Sequence, residues 1–140
     1  MNASEQATNV EIVSKIATVV NLVRFEFPDL AVDFSPWLNN AETQKFDDPN
    51  SIDLGFHFPG RSFACQSSSI LMQIRLPDAQ RSRIAAVELS GHDHMGQQWR
   101  FATSQAEEFW GLAVPLPKAQ TQLKQICRQV VRLFNSAVRS

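Results

Sequence analysis

Two segments, one near each end of the sequence, carry apolar residues at helical spacing. The first segment ends at Pro28, and Thr8 with Glu11 has the spacing of a capping box at its start. The second segment covers residues 118–138. This spacing predicts two amphipathic helices, each with one apolar face. The positions that form these faces are Val13, Ile16, Val20, Val23 and Phe27, then Leu123, Ile126, Cys127, Val130, Phe134 and Val138.

Between these segments the apolar residues alternate with polar ones, which is the period of a half-buried strand. The alternation over 52–58 predicts a strand that turns at Pro59-Gly60. The apolar residues that follow this turn first occupy odd-numbered positions and then, further along the chain, even-numbered positions. A continuous strand cannot make that change without turning its apolar side to water, so we expect a bulge or break at residues 67–69.

Three more elements complete the pattern. Residues 32–38, interrupted by Pro36, predict a short or edge strand. A second hairpin is predicted from 84–90 and 97–103, with residues 91–96 at its tip. Ser104 and Glu107 have capping-box spacing, which predicts a short helix carrying Phe109 and Trp110.

The order of these elements predicts a single α+β domain over residues 1–140. Each predicted strand has one apolar side, so one face of the sheet is expected to be covered and the other to face water. We therefore predict a two-layer fold, an antiparallel β-meander with the N-terminal and C-terminal helices packed on one face.

Composition excludes several classes of protein. The chain is 44% hydrophobic and 19% charged, which is typical of a folded globular domain. No window reaches the roughly 18 apolar residues of a membrane span, and the first residues lack the basic region of a signal peptide. We expect a cytoplasmic protein that does not contact membranes.

The two cysteines, Cys65 and Cys127, have no CxxC or Cys/His pattern around them. Two buried thiols are therefore predicted, and no cofactor is expected. A disulfide between them is the alternative, and it would need an oxidising compartment.

The histidines are the candidates for a metal site. His92 and His94 flank Asp93 at the tip of the second hairpin, and an HxH pair in an extended segment places both rings on one side. His57 would supply a third nitrogen if the two hairpins are neighbours, with Asp93 in a supporting role. The alternative is a polar hairpin tip without a ligand, since histidine and aspartate are common in turns.

The polar face of the predicted sheet is a candidate ligand site. Arg75 and Arg100 could grip a carboxylate or phosphate in a bidentate manner, with His57 as a titrating neighbour. The alternative is an ordinary solvated sheet face whose ion pairs contribute little. The residues assigned to this face are Asp53, His57, Gln73, Arg75, Glu88, Gln98 and Arg100.

Charge is divided unevenly along the chain. Residues 1–58 hold nine acidic and three basic residues, whereas residues 59–140 hold five acidic and ten basic ones. On the last helix, Lys124, Arg128 and Arg132 form a basic stripe, with Arg139 on the same side, that could contact a protein, contact nucleic acid or face solvent. In a protein contact the stripe would meet acids such as Asp47 and Asp48 on a second copy or another protein. The sequence pI of about 6.3 and the lack of a nucleic-acid motif disfavour nucleic acid.

Aromatic residues near the ends of elements are the candidates for an interface. Trp37, Phe109 and Trp110 cannot all point inward from short elements, and exposed aromatics mark contact surfaces. The alternative is that they close the end of the core. With the basic stripe of Lys124, Arg128 and Arg132, they form the predicted partner-binding set.

No phosphate loop, nucleophile elbow or catalytic cysteine pattern assigns an enzymatic activity. The leading hypothesis is a small soluble binding or adaptor domain that acts through protein–protein contacts and self-associates. One alternative is a metal-assisted enzyme or small-ligand site at His57, His92 and His94. A second alternative is nucleic-acid binding along the basic face of the last helix.

Overall fold

In the part of the chain that the structure describes, six strands form one antiparallel sheet in which neighbours in space are also neighbours in sequence. The computed structural model describes residues 1–37, 49–77 and 84–136. The strands are β1 (Ala31–Asp33), β2 (Ser51–Ser62), β3 (Ser67–Arg75), β4 (Ala86–Asp93), β5 (Gly96–Ala102) and β6 (Trp110–Gly111). The helices are α1 (Ala3–Gln6), α2 (Val10–Glu26) and α3 (Pro117–Asn135).

Both long helices share one apolar core with the sheet, which confirms the predicted two-layer α+β fold. In the regular parts of β2 and β3, the even-numbered residues of 52–56 and 70–74 face α2 and α3, while the odd-numbered ones face the other way. Gln122 of α3 donates to Glu26 of α2 at 3.0 Å, which ties the helices together at the surface. The core includes Ile16, Val19, Val23, Ile52, Leu54, Phe56, Ile70, Met72, Ile74, Val87, Leu89, Trp99, Phe101, Leu123, Ile126, Val130 and Phe134.

The helix boundaries follow local chemistry, with one correction. The N-cap of α2 is Asn9, whose side chain accepts from the Ile12 N–H at 2.9 Å, so the predicted capping box at Thr8 is wrong. The helix ends at Glu26, ahead of Pro28 as predicted. The apolar stripe of α3 is confirmed where the structure describes it, whereas Val138 lies outside the described residues.

The first hairpin turns later than predicted. Strand β2 continues through Pro59 and Gly60 to Ser62, and the turn is formed by residues 63–66. The register changes between the pairs His57↔Ser69 and Ser62↔Ser67. Between these two pairs β2 contains more residues than β3, so the extra residues lie on β2. The expected parity break is present, but the additional residues precede the turn instead of following it.

No helix forms over residues 104–110, so the predicted short helix is wrong. Residues 103–106 form a turn, and Trp110 begins the edge strand β6. The ring of Phe109 stacks on Phe101 at 4.7 Å and meets Trp99 edge-on at 5.3 Å. Burial of this ring against two core aromatics outweighs the local helix signal of Ser104 and Glu107.

Both cysteines are buried free thiols, which confirms the prediction made for them. Burial raises the pKa of Cys65 to about 11, and it also raises the pKa of Cys127 above its usual range. Since the thiolate is the reactive form, neither residue is suited to nucleophilic chemistry.

Of the helices in the described segments, none has both the length and the apolar content that a bilayer crossing requires.

Candidate functional site

Three charged side chains meet on the sheet face that points away from α2 and α3, here called the outer face. Glu88 lies between Arg75, whose Nε is 2.8 Å from Oε2, and Arg100, whose guanidinium is 3.6 Å from Oε1. The sheet therefore brings the two predicted ligand-binding arginines together. An incoming anion would compete with Glu88 for both of them.

A serine–histidine pair lies beside this cluster. Ser90 Oγ is 2.8 Å from His92 Nε2, and Ser90 is paired with Arg100 across the strands. Burial lowers the pKa of His92, the nearby Arg100 charge lowers it further, and Asp93 acts in the opposite direction. A neutral imidazole that accepts from the Ser90 hydroxyl is the state that these contacts favour.

The histidines are distributed across the sheet. His57 and His92 pair with Ser69 from opposite sides, which separates their backbones by about 10 Å. His94 lies in the exposed turn, and Asp93 accepts from the Met95 N–H at 2.8 Å to close that turn. Among the residues that the structure describes, no three His, Cys, Asp or Glu side chains are grouped to hold a metal ion.

Replacing His92 with glutamine is expected to reduce the loss of stability in acid. The folded state disfavours the charged imidazole, so protonation favours the unfolded chain once the pH falls below the ordinary histidine value of 6.5. Above that pH this residue contributes no pH dependence. Urea unfolding at a series of pH values across 6.5 would measure the slope, with exposed His94→Gln as the control. Identical slopes for wild type and His92→Gln would contradict this assignment.

Trp37 is held within the fold by a hydrogen bond to a buried carboxylate. Its indole N–H donates to Asp53 Oδ2 at 2.5 Å, and its backbone N–H donates to Asn2 Oδ1 at 2.9 Å. Asp53 was predicted to face solvent, but Trp37 and residues 1–2 cover it completely. The sequence pattern correctly predicted the side of the strand on which Asp53 lies. It did not predict that Trp37 and residues 1–2 cover that side.

The predicted basic stripe of α3 is partly occupied by internal partners. The Lys124 ammonium lies 6.0 Å from the centre of the Phe109 ring, and the Arg128 guanidinium is 3.3 Å from Glu107. Arg132 is exposed on the same helix. Arg139, which would extend the stripe, lies outside the described residues, as do Asp47 and Asp48, the acids expected to oppose it.

The adjacent aromatics Phe109 and Trp110 have different environments. Phe109 packs into the core, as described above. Trp110 is 43% exposed and pairs with Arg100 at the edge of the sheet. Of the two, Trp110 alone offers substantial area to a partner.

Trp110 begins a row of exposed apolar side chains that the sequence analysis did not identify. Every second residue from 110 to 116 is large and apolar, and Leu112 is 88% exposed. The alternation of apolar residues is visible in the sequence. It was not interpreted as an exposed row because a short helix was predicted for this region and because the region contains prolines. We call this row the edge strip, which consists of Trp110, Leu112, Val114 and Leu116.

The edge strip is held in place by backbone hydrogen bonds. The Ala113 N–H donates to the Gln98 carbonyl at 3.1 Å, and the Leu116 N–H donates to the Ala64 carbonyl at 2.8 Å. At Gly111, with φ +143°, an added Cβ would lie 2.3 Å from the Gln98 oxygen, so the chain approaches β5 as closely as glycine allows. The strip is therefore a fixed apolar surface along the last strand of the sheet.

A second apolar surface lies between α1 and α2. It is a shallow groove of about 480 Å³ whose lining includes Val13, Val20 and Phe34 together with three alanines. Within the described segments, no charged side chain lines it. Nothing in its surroundings specifies an occupant.

A protein-family model described as a domain of unknown function matches residues 4–136, so the chain belongs to that family. The match extends from α1 to the end of α3 and includes the edge strip. No curated protein and no solved structure matches this sequence.

Proposed function

We propose that this chain is a protein-binding domain whose contact surface is the edge strip. The observation that carries the proposal is the exposure of Leu112, Val114 and Leu116 in a segment fixed to the sheet. Single exposed apolar residues are ordinary on protein surfaces, but a contiguous row of them marks an interaction site.

The position of the strip at a sheet edge supports this proposal. Edge strands present backbone groups that a second extended segment can pair with, and native proteins usually protect such edges with charges or short strands. Strand β6 is short, but the residues that follow it are apolar instead of charged. The chain bends at residues 112 and 113 and carries Pro115, so the proposed contact relies on burial of the exposed side chains of the strip.

The two alternatives gain no support from the described geometry. The histidines that a metal or small-ligand site would use are separated across the sheet. Lys124 and Arg128, which nucleic-acid binding would use, already contact Phe109 and Glu107. Free buried thiols at Cys65 and Cys127 agree with the cytoplasmic location that is part of this proposal.

Photo-crosslinking would test the proposed surface. We expect p-benzoylphenylalanine at position 112 to give a discrete protein adduct, in the purified protein or in a lysate of the source cells. The matched control is the same probe at position 25, because Phe25 is 85% exposed but lies on α2 and not in the edge strip.

Denaturing electrophoresis and mass spectrometry would identify the adducts and the crosslinked peptide. An adduct at position 112 that exceeds the yield at position 25 supports the proposal. Equal yields at the two positions in both samples would overturn it.

A further inference from the structure

We infer that the partner of the edge strip is a second copy of this chain, paired antiparallel about a two-fold axis at Ala113. This inference rests on the proposed function and adds the identity and register of the partner. Symmetric dimers use the same patch on both subunits, so the patch must be complementary to itself. The residues around Ala113 meet this condition in size and in charge.

Side-chain sizes match across the proposed axis. A two-fold axis at Ala113 places Leu112 near Val114 of the other copy, and Trp110 near Leu116. The chain bends at residues 112 and 113, so the copies would meet through these side chains and not as a regular strand pair. All four side chains are at least 37% exposed in the single chain, so each has area left to bury. Apolar side chains that meet in this way would remove apolar surface of both copies from water.

Charges at the two ends of the segment select the same arrangement. Glu108 and Lys118 are both exposed, lie five residues on either side of Ala113, and form no ion pair within the described residues. The two-fold axis places Glu108 of each copy on the side of Lys118 of the other, in the first turn of α3. Parallel pairing would instead place like charges together, which is unfavourable.

An engineered cysteine at the axis would test the register. In Ala113→Cys the two-fold axis brings the two copies of one residue together, and a disulfide can span Cα atoms that are up to about 7 Å apart. We expect a disulfide-linked dimer of the purified variant under mild oxidation, with no such dimer from Phe25→Cys. The native thiols are buried and do not compete.

A charge exchange would test the same register without a new bond. We expect Glu108→Lys and Lys118→Glu each to weaken self-association about tenfold, and the double variant to restore it. Sedimentation equilibrium of the purified proteins would measure these changes. The measurement remains informative if Ala113→Cys fails to fold.

The possible failures can be distinguished. Adducts at position 112 with other proteins but none between copies would overturn the second-copy inference and leave the proposed function standing. Self-association without a disulfide-linked dimer of Ala113→Cys and without restoration in the charge exchange would overturn the register. Equal crosslinking at positions 112 and 25 would overturn both proposals.

Discussion

Replacing Gly91 with alanine is expected to lower the free energy of unfolding by about 3 kcal/mol, the upper part of the range for overpacking a core. Gly91 pairs with Trp99 across β4 and β5, and the indole lies against the glycine on the core side. A Cβ at Gly91 would lie 2.2 Å from Trp99 Nε1, which is far inside van der Waals contact.

The indole has no room to move away. Trp99 is fully buried, its ring meets Phe109, and its Nε1 donates to the Cys65 carbonyl at 2.7 Å. A shift of the ring would break this buried hydrogen bond and disturb the packing of Phe109. The substitution is therefore expected to destabilise the hairpin turn, the core and the edge segment together.

Gly60→Ala is the matched control for Gly91→Ala. No atom lies within 4 Å of the position that a Cβ would take at Gly60, and its φ is not positive. We expect this variant to keep wild-type stability. Urea unfolding of the three proteins would report the difference as a lower midpoint with an unchanged slope for Gly91→Ala alone. Equal midpoints for the two variants would show that Trp99 does not lie on Gly91.

Replacing Leu112 with aspartate is expected to weaken self-association by at least about 100-fold. At the centre of the proposed interface, the aspartate would bury a charge opposite Val114 with no partner for it. The single chain should be unaffected, because Leu112 is 88% exposed and its side chain contributes little to the core. We expect the midpoint of urea unfolding to stay at the wild-type value when it is measured on dilute monomer.

Phe25→Asp is the control for this substitution. Phe25 is 85% exposed, nearly as much as Leu112, and it lies on α2. The two variants add the same charge and remove a similar exposed apolar group. If both variants weaken association equally, the effect is one of net charge and the edge strip has no special role.

Much of the fold was predictable because local periodicity and burial agree. Along β2 and β3 the apolar residues alternate, and the register Leu54↔Met72 places them on one side. The stripe of α3 repeats every three or four residues, and its described members are buried. In these segments the sequence pattern is the direct result of one face packing against the other layer.

The errors occur where distant contacts decide the local structure. Ser104 and Glu107 have the spacing of a helix start, yet the core aromatics Phe101 and Trp99 hold Phe109 in an extended segment. Pro59-Gly60 has the composition of a turn, yet β2 continues past it. Such residues tolerate several conformations, and the contacts that choose one come from residues far along the chain.

The candidate site was the least predictable part. Trp110 was predicted as a contact residue because adjacent aromatics on a short element cannot all point inward, and its neighbour Phe109 packs into the core. The remaining residues of the edge strip were missed because alternation normally indicates a strand with one buried side. Here the alternate large residues face solvent at the sheet edge, which only the three-dimensional arrangement reveals.

Sedimentation equilibrium of the wild-type chain beside Leu112→Asp and Phe25→Asp would show whether the edge strip binds a second copy. We expect a concentration-dependent dimer for wild type and Phe25→Asp, and a monomer for Leu112→Asp throughout the same range. A wild-type chain that stays monomeric, or a Leu112→Asp variant that dimerises like wild type, would contradict the claim that this edge binds a second copy.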